Sequence, residues 1–147
     1  MKVVTQVELD APPEVVFDVL LDLDRLGEWV TAHEDVVEQP DEGLEVGSEF
    51  RQRLKVTGLS FKVSWELVAL ERPSLIEWKG KGPGGSKARA LYELSAISGG
   101  TRFDYLNEFE LPGGRLSALA GNKIGEKQGR EEAERSLANL KRMLGDG

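Results

Sequence analysis

TRFDYLNEFELPGGRLSALAGNKIGEKQGREEAERSLANLKRML, residues 101–144, decides the architecture, because a strand pattern gives way within it to a long helical one. Up to Leu111 the chain alternates. Phe103, Tyr105, Asn107 and Phe109 share one side while Asp104, Glu108 and Glu110 share the other, which makes a strand with one wet face. Pro112-Gly113-Gly114 stops it. Arg115 to Leu144 then contains no proline and is rich in Leu, Ala, Glu, Lys and Arg, which predicts one helix about 45 Å long at 1.5 Å per residue.

Working back from this closing unit, the chain is mostly β. Phe50, Gln52, Leu54 and Val56 alternate with Glu49, Arg51, Arg53 and Lys55, and Thr57-Gly58 turns the chain into Phe61, Val63, Trp65, Leu67 and Ala69. Arg72-Pro73-Ser74 breaks this hairpin, and Leu75–Lys79 forms another strand. Gly80–Ser86 reads as a glycine-rich loop before a strand over Lys87–Ile97. At the N-terminus Val3, Thr5, Val7 and Leu9 set a half-buried strand over 2–9, and Asp10 reads as a capping residue ahead of Pro12-Pro13. Val16, Phe17, Leu20 and Leu21 then mark a short helix, and 22–29 a second helical piece bearing Leu23, Leu26 and Trp29. Glu34–Glu38 is a short strand, and 39–47 a loop carrying three acids. The order predicts an α+β helix-grip fold: a curved antiparallel sheet of about six to seven strands wrapped around the C-terminal helix, with two short helices after the first strand. No repeat or linker divides the chain, so residues 1–147 read as one domain.

Composition narrows the function. The chain has 26 Asp and Glu against 19 Lys and Arg, a formal net charge of -7, which disfavours a nucleic-acid partner. It has no cysteine and a single histidine, His33, so a metal site is not expected and no cofactor is called for. No stretch approaches ~18 apolar residues, and the N-terminus alternates instead of forming an apolar run, so a soluble, cytoplasmic protein without integral membrane association is expected.

Several phrases resemble the polyketide cyclase/dehydrase and lipid-transport family of the START-like, Bet v 1-like (SRPBCC) superfamily. They are APPEVVFDVL at 11–20, DLDRLGEW at 22–29, GLEVG at 43–47, LVALERPSLIEW at 67–78, and GGTRFDYLNEFELPGG at 99–114 followed by the helix ending LANLKRML. The resemblance spans nearly the whole chain and carries fold, not a catalytic signature. It implies a deep cavity between the concave sheet and the long helix, where relatives hold lipids, sterols, polyketides or other apolar molecules.

The residues themselves supply candidates. The face shared by Phe50, Phe61 and Phe103 also carries Gln52, Trp65, Trp78, Tyr92, Tyr105 and Asn107, a mixture that suits a ligand pocket. The same aromatics serve equally as core with their polar tips satisfied. On the long helix, Leu119, Ala133, Leu137, Leu140 and Leu144 share a stripe with Asn122, Glu126 and Gly129, so its first half roofs a wetter cavity or projects into solvent. Gly121, Gly125 and Gly129 leave room for a ligand or pack backbone closely. Gly80 to Gly85 matches G-x-G-x-x-G but precedes a strand and not a helix, which rules out a dinucleotide loop. Lys79, Lys81, Lys87 and Arg89 form a basic cluster, either a solvated face or a guide for an anionic ligand or lipid head group. His33 reads as exposed or locally satisfied, or as an acid–base group at the cavity edge.

Three readings follow. In the first, the domain carries or senses a small hydrophobic molecule such as a lipid or polyketide-like compound. Trp29, Trp65, Trp78, Tyr92 and Tyr105 form the wall, and Gln52, Asn107, Asn122 and Glu126 orient the ligand. In the second it is an aromatase/cyclase-like enzyme whose catalytic residues the sequence does not fix. In the third it is a protein-interaction module resembling Hsp90 activators. Oligomeric state leaves no mark in the sequence.

Overall fold

The computed structural model describes residues 2–56, 58–110 and 115–145, with the side chains of 115–125 excepted. Alternation forms β1 (Lys2–Leu9), whose Val3 and Leu9 are buried. α1 (Pro13–Leu21) follows, then a single 3-10 turn (Leu23–Arg25) and α2 (Leu26–Trp29). β2 (His33–Glu38), β3 (Glu49–Val56), β4 (Leu59–Glu71), β5 (Leu75–Lys81), β6 (Lys87–Ile97) and β7 (Gly100–Glu110) lead to α3 (Arg115–Gly145). The seven strands make one antiparallel sheet in the order β1-β7-β6-β5-β4-β3-β2. This is the α+β helix-grip arrangement expected from the alternation and from the closing helix.

Three local expectations are corrected. β2 starts at His33, one residue early, because His33 pairs with Leu54. β5 runs on to Lys81, since Gly80 lies opposite Trp65 and Ala88, where a Cβ would come within 2.8 Å of the Trp65 ring. Asp10 does not cap α1: the N-cap is Pro12, held extended at φ -67 and ψ 155, with no side-chain cap. The two prolines move the helix start beyond the reach of Asp10. The turn residue Thr57 and the break at Pro112-Gly113-Gly114 lie outside the described residues. A 3-10 turn at Pro83–Gly85 and then β6 follow Gly80, so no helix opens on the glycine-rich stretch.

The core sits between the concave face of the sheet and the helices. Val16, Phe17 and Leu20 of α1 meet Leu9, Leu67, Ile76, Leu94 and Phe103 from the strands, with Leu137 and Leu140 of α3 closing over them. α1 lies over β6 and β7, α2 touches α3 and β2, and α3 runs along β1. At the other rim β2 has register shifts between His33 and Asp35 and between Val36 and Glu38, and Glu34, Asp35 and Glu38 are exposed.

Candidate functional site

The concave face changes character from residue to residue. Under α1 and the C-terminal half of α3, Leu67, Ile76, Phe103 and Leu140 are fully buried. On the same face Leu54, Phe61, Tyr92, Tyr105, Asn107 and Phe109 are only half-buried, although Tyr92 stands directly opposite the buried Ile76 in the ladder. A packed core would have covered these positions in central strands.

Two polar groups stand on this face. In the first, the buried Trp65 Nε1 donates to Gln52 Oε1 at 2.9 Å, and Gln52 Nε2 lies 2.9 Å from His33 Nδ1. Indole nitrogen donates only, so the amide orientation is forced and His33 Nδ1 must accept. His33 is therefore neutral with its proton on Nε2, and burial holds its pKa below the ordinary histidine value, opposed by the Asp35 charge. Phe50 and Trp78, edge to face with ring centres 4.9 Å apart, pack alongside on β3 and β5.

The second group lies on β6 and β7. Tyr92 and Tyr105 are directly opposite in the ladder and stack with centroids 5.7 Å apart and planes 18° from parallel. Asn107 Nδ2 donates to the Tyr105 hydroxyl at 3.0 Å. Trp29, at the end of α2, meets Tyr92 edge-on with centroids 6.3 Å apart, and its carbonyl accepts from Asn139 of α3 at 3.3 Å. Burial raises the pKa of both phenols, helped at Tyr92 by Tyr105. For Tyr105 the Asn107 hydrogen bond acts in the opposite direction, and the nearby Glu132 carboxylate adds to the rise.

Of the nine predicted wall and orienting residues, Trp65 and Gln52 thus belong to one group with Trp78 beside it, and Trp29, Tyr92, Tyr105 and Asn107 to the other. The remaining two stand apart. Glu126 is exposed on α3, and the side chains of Asn122 and Leu119 lie outside the described ones, as do the surroundings of Gly121 and Gly125. The C-terminal stripe is as expected, with Ala133, Leu137 and Leu140 buried.

Sequence reasoning missed the tie between the helices and β2. Thr31 N donates to Ser136 Oγ at 3.1 Å, and Thr31 Oγ1 donates to Glu132 at 3.0 Å. The only signal was positional, Ser136 standing next to Leu137 in the buried stripe. His33 proves locally satisfied, through Gln52, and half-buried.

The basic cluster lies on the outer face, where an open groove of about 700 Å³ includes Lys79, Lys81, Lys87 and Arg89 but equally Glu49, Glu66, Glu108 and Glu110. Arg89 is paired with Glu77 at 2.6 Å and Glu108 at 3.2 Å. Among the described residues no group of three or more His, Cys, Asp and Glu could hold a metal ion. No described helix is long and apolar enough to cross a membrane.

Comparison with known proteins places these features. The chain is similar to a Mycobacterium tuberculosis protein named Toxin Rv0910, 27% identical over 89 residues, which are 60% of this chain and 62% of that protein. The aligned stretch is thus less than two thirds of the relative's length. In fold it is similar to protein CV1439 from Chromobacterium violaceum, at 18% identity and a TM-score of 0.74, covering 97% of this chain and 96% of that one. It is equally similar to TTHA0849 from Thermus thermophilus, at 18% identity and a TM-score of 0.74, covering 98% and 97%. Residues 1–145 match the family described as polyketide cyclase / dehydrase and lipid transport, and with the match running almost from end to end this chain belongs to that family.

Proposed function

We propose that the protein carries or senses a small, largely apolar molecule held on the concave face beside α3. One observation carries this reading: Leu67, Ile76, Phe103 and Leu140 are fully buried on this face, while its aromatic and amide side chains Phe61, Tyr92, Tyr105 and Asn107 stay half-buried beside them. Ligand sites combine apolar walls with a few placed polar groups in this way. Membership of a family described by cyclisation, dehydration and lipid transport supports the same reading. Burial holds both the Tyr92 and Tyr105 phenols in the protonated form, so each has a hydrogen to donate to a bound molecule.

The test is native mass spectrometry of the protein purified from its source, followed by solvent extraction of what it holds. A stoichiometric apolar adduct is expected. A protein that arrives empty and also fails to take up polarity-sensitive fluorescent probes overturns the proposal.

A further inference from the structure

Trp29 is 1% exposed, and its Nε1 is the one buried side-chain polar atom without a hydrogen-bond partner among the described residues. Such an orphan calls for a reason, because folded chains pair nearly all their buried donors. The fold pairs the comparable indole of Trp65 with a dedicated glutamine. Next to Trp29, the Tyr92 hydroxyl also makes no hydrogen bond among the described residues. The Tyr105 hydroxyl oxygen accepts from Asn107 and keeps its own hydrogen to donate. Three rings in continuous contact therefore present three hydrogens for donation, one of them on an indole nitrogen that cannot accept.

Resting on the binding role proposed above, we infer that Trp29, Tyr92 and Tyr105 form the polar end of the site and select an uncharged ligand bearing a carbonyl oxygen over a carboxylate of the same size. A carbonyl accepts from such donors and gives up little hydration on entry. A carboxylate would leave water for a place where the rings touch Phe103 and one another, and where the charge acting on Tyr105 is the Glu132 carboxylate. His33 offers no compensation, since it is held neutral with Nδ1 engaged by Gln52. The two phenols remain protonated donors well above neutral pH, so the preference persists across the physiological range.

The experiment is equilibrium dialysis at pH 7 with three probes of one ring size: naphthalene, 2-acetylnaphthalene and 2-naphthoate. The ketone is expected to bind about tenfold more tightly than naphthalene and at least about tenfold more tightly than the carboxylate. Tyr92→Phe keeps the ring and removes its hydroxyl, and Trp29→Phe keeps a smaller aromatic ring and removes the indole N–H. In each variant the ketone should fall toward parity with naphthalene measured on that same variant. Wild-type protein that binds 2-naphthoate as well as the ketone, or the ketone no better than naphthalene, overturns the inference without any variant. Folded protein that binds none of the three overturns the binding role itself, and this inference with it.

Discussion

Gln52 donates from Nε2 to His33 Nδ1 at 2.9 Å and cannot reverse its amide, because its oxygen already serves the buried Trp65 N–H. A proton on His33 Nδ1 would face the amide NH2 group, so protonation has to break one link of the chain. On the imidazole's own strand, Glu34 is held by Ser60 and Asp35 by Arg53. Of these charges Asp35 is the one that acts on the ring, and burial outweighs it.

The sign of the pH dependence follows. The folded pKa of His33 lies below the ordinary value of 6.5, so the unfolded chain binds the proton more tightly. This stability is complete above 6.5 and is lost as pH falls through 6.5 to the depressed folded pKa. His33→Gln retains an acceptor for Gln52 but does not titrate. Urea titrations between pH 7 and pH 5 should show the wild type losing more stability than the variant, and equal losses would contradict the assignment.

Gln52→Leu leaves the Trp65 donor buried and unpaired and should cost about 1–3 kcal/mol in urea unfolding. Gln52→Glu keeps an acceptor for Trp65 and sets a carboxylate against His33. The imidazole pKa, followed by NMR, should then move upward from its wild-type value.

The contrast between buried and half-buried positions on the concave face is measurable. Leu67→Ala and Leu140→Ala, at fully buried positions, should each cost about 2–5 kcal/mol. Leu54→Ala, at a half-buried one, should cost about 1 kcal/mol. It should nonetheless weaken the uptake of 2-acetylnaphthalene in dialysis more than its effect on stability suggests.

Gly80→Ala would place a Cβ 2.8 Å from the Trp65 ring and 2.9 Å from Val63. Because the ring is fixed by its bond to Gln52, relief has to come from the sheet. A loss of about 1–3 kcal/mol is expected, with a shift in tryptophan emission that reports movement of Trp65.

Alternation and the prolines made most of the fold legible. Val3, Thr5, Val7 and Leu9 announced β1, and the closing strand and helix announced the grip. What escaped were effects that depend on a neighbour distant in sequence. Asp10 carries the chemistry of a cap, but where the helix starts depended on the extended Pro12. Gly80 reads locally as a loop residue, yet its lack of a side chain serves Trp65 across the ladder. The aromatic and amide residues on the concave face were legible from parity alone. Their division into a closed hydrogen-bond chain at Gln52 and an open one at Tyr92 was not, because parity fixes a side and not a partner. His33 shows the same limit, since the glutamine that sets its tautomer is nineteen residues away.

β2 has its own consequence for the life of the protein at high concentration. A second chain can extend a sheet only along a straight, unguarded ladder, and this rim offers six residues, two changes of register and three exposed acids. Strand-by-strand polymerisation therefore has no foothold along β2, whatever the protein concentration.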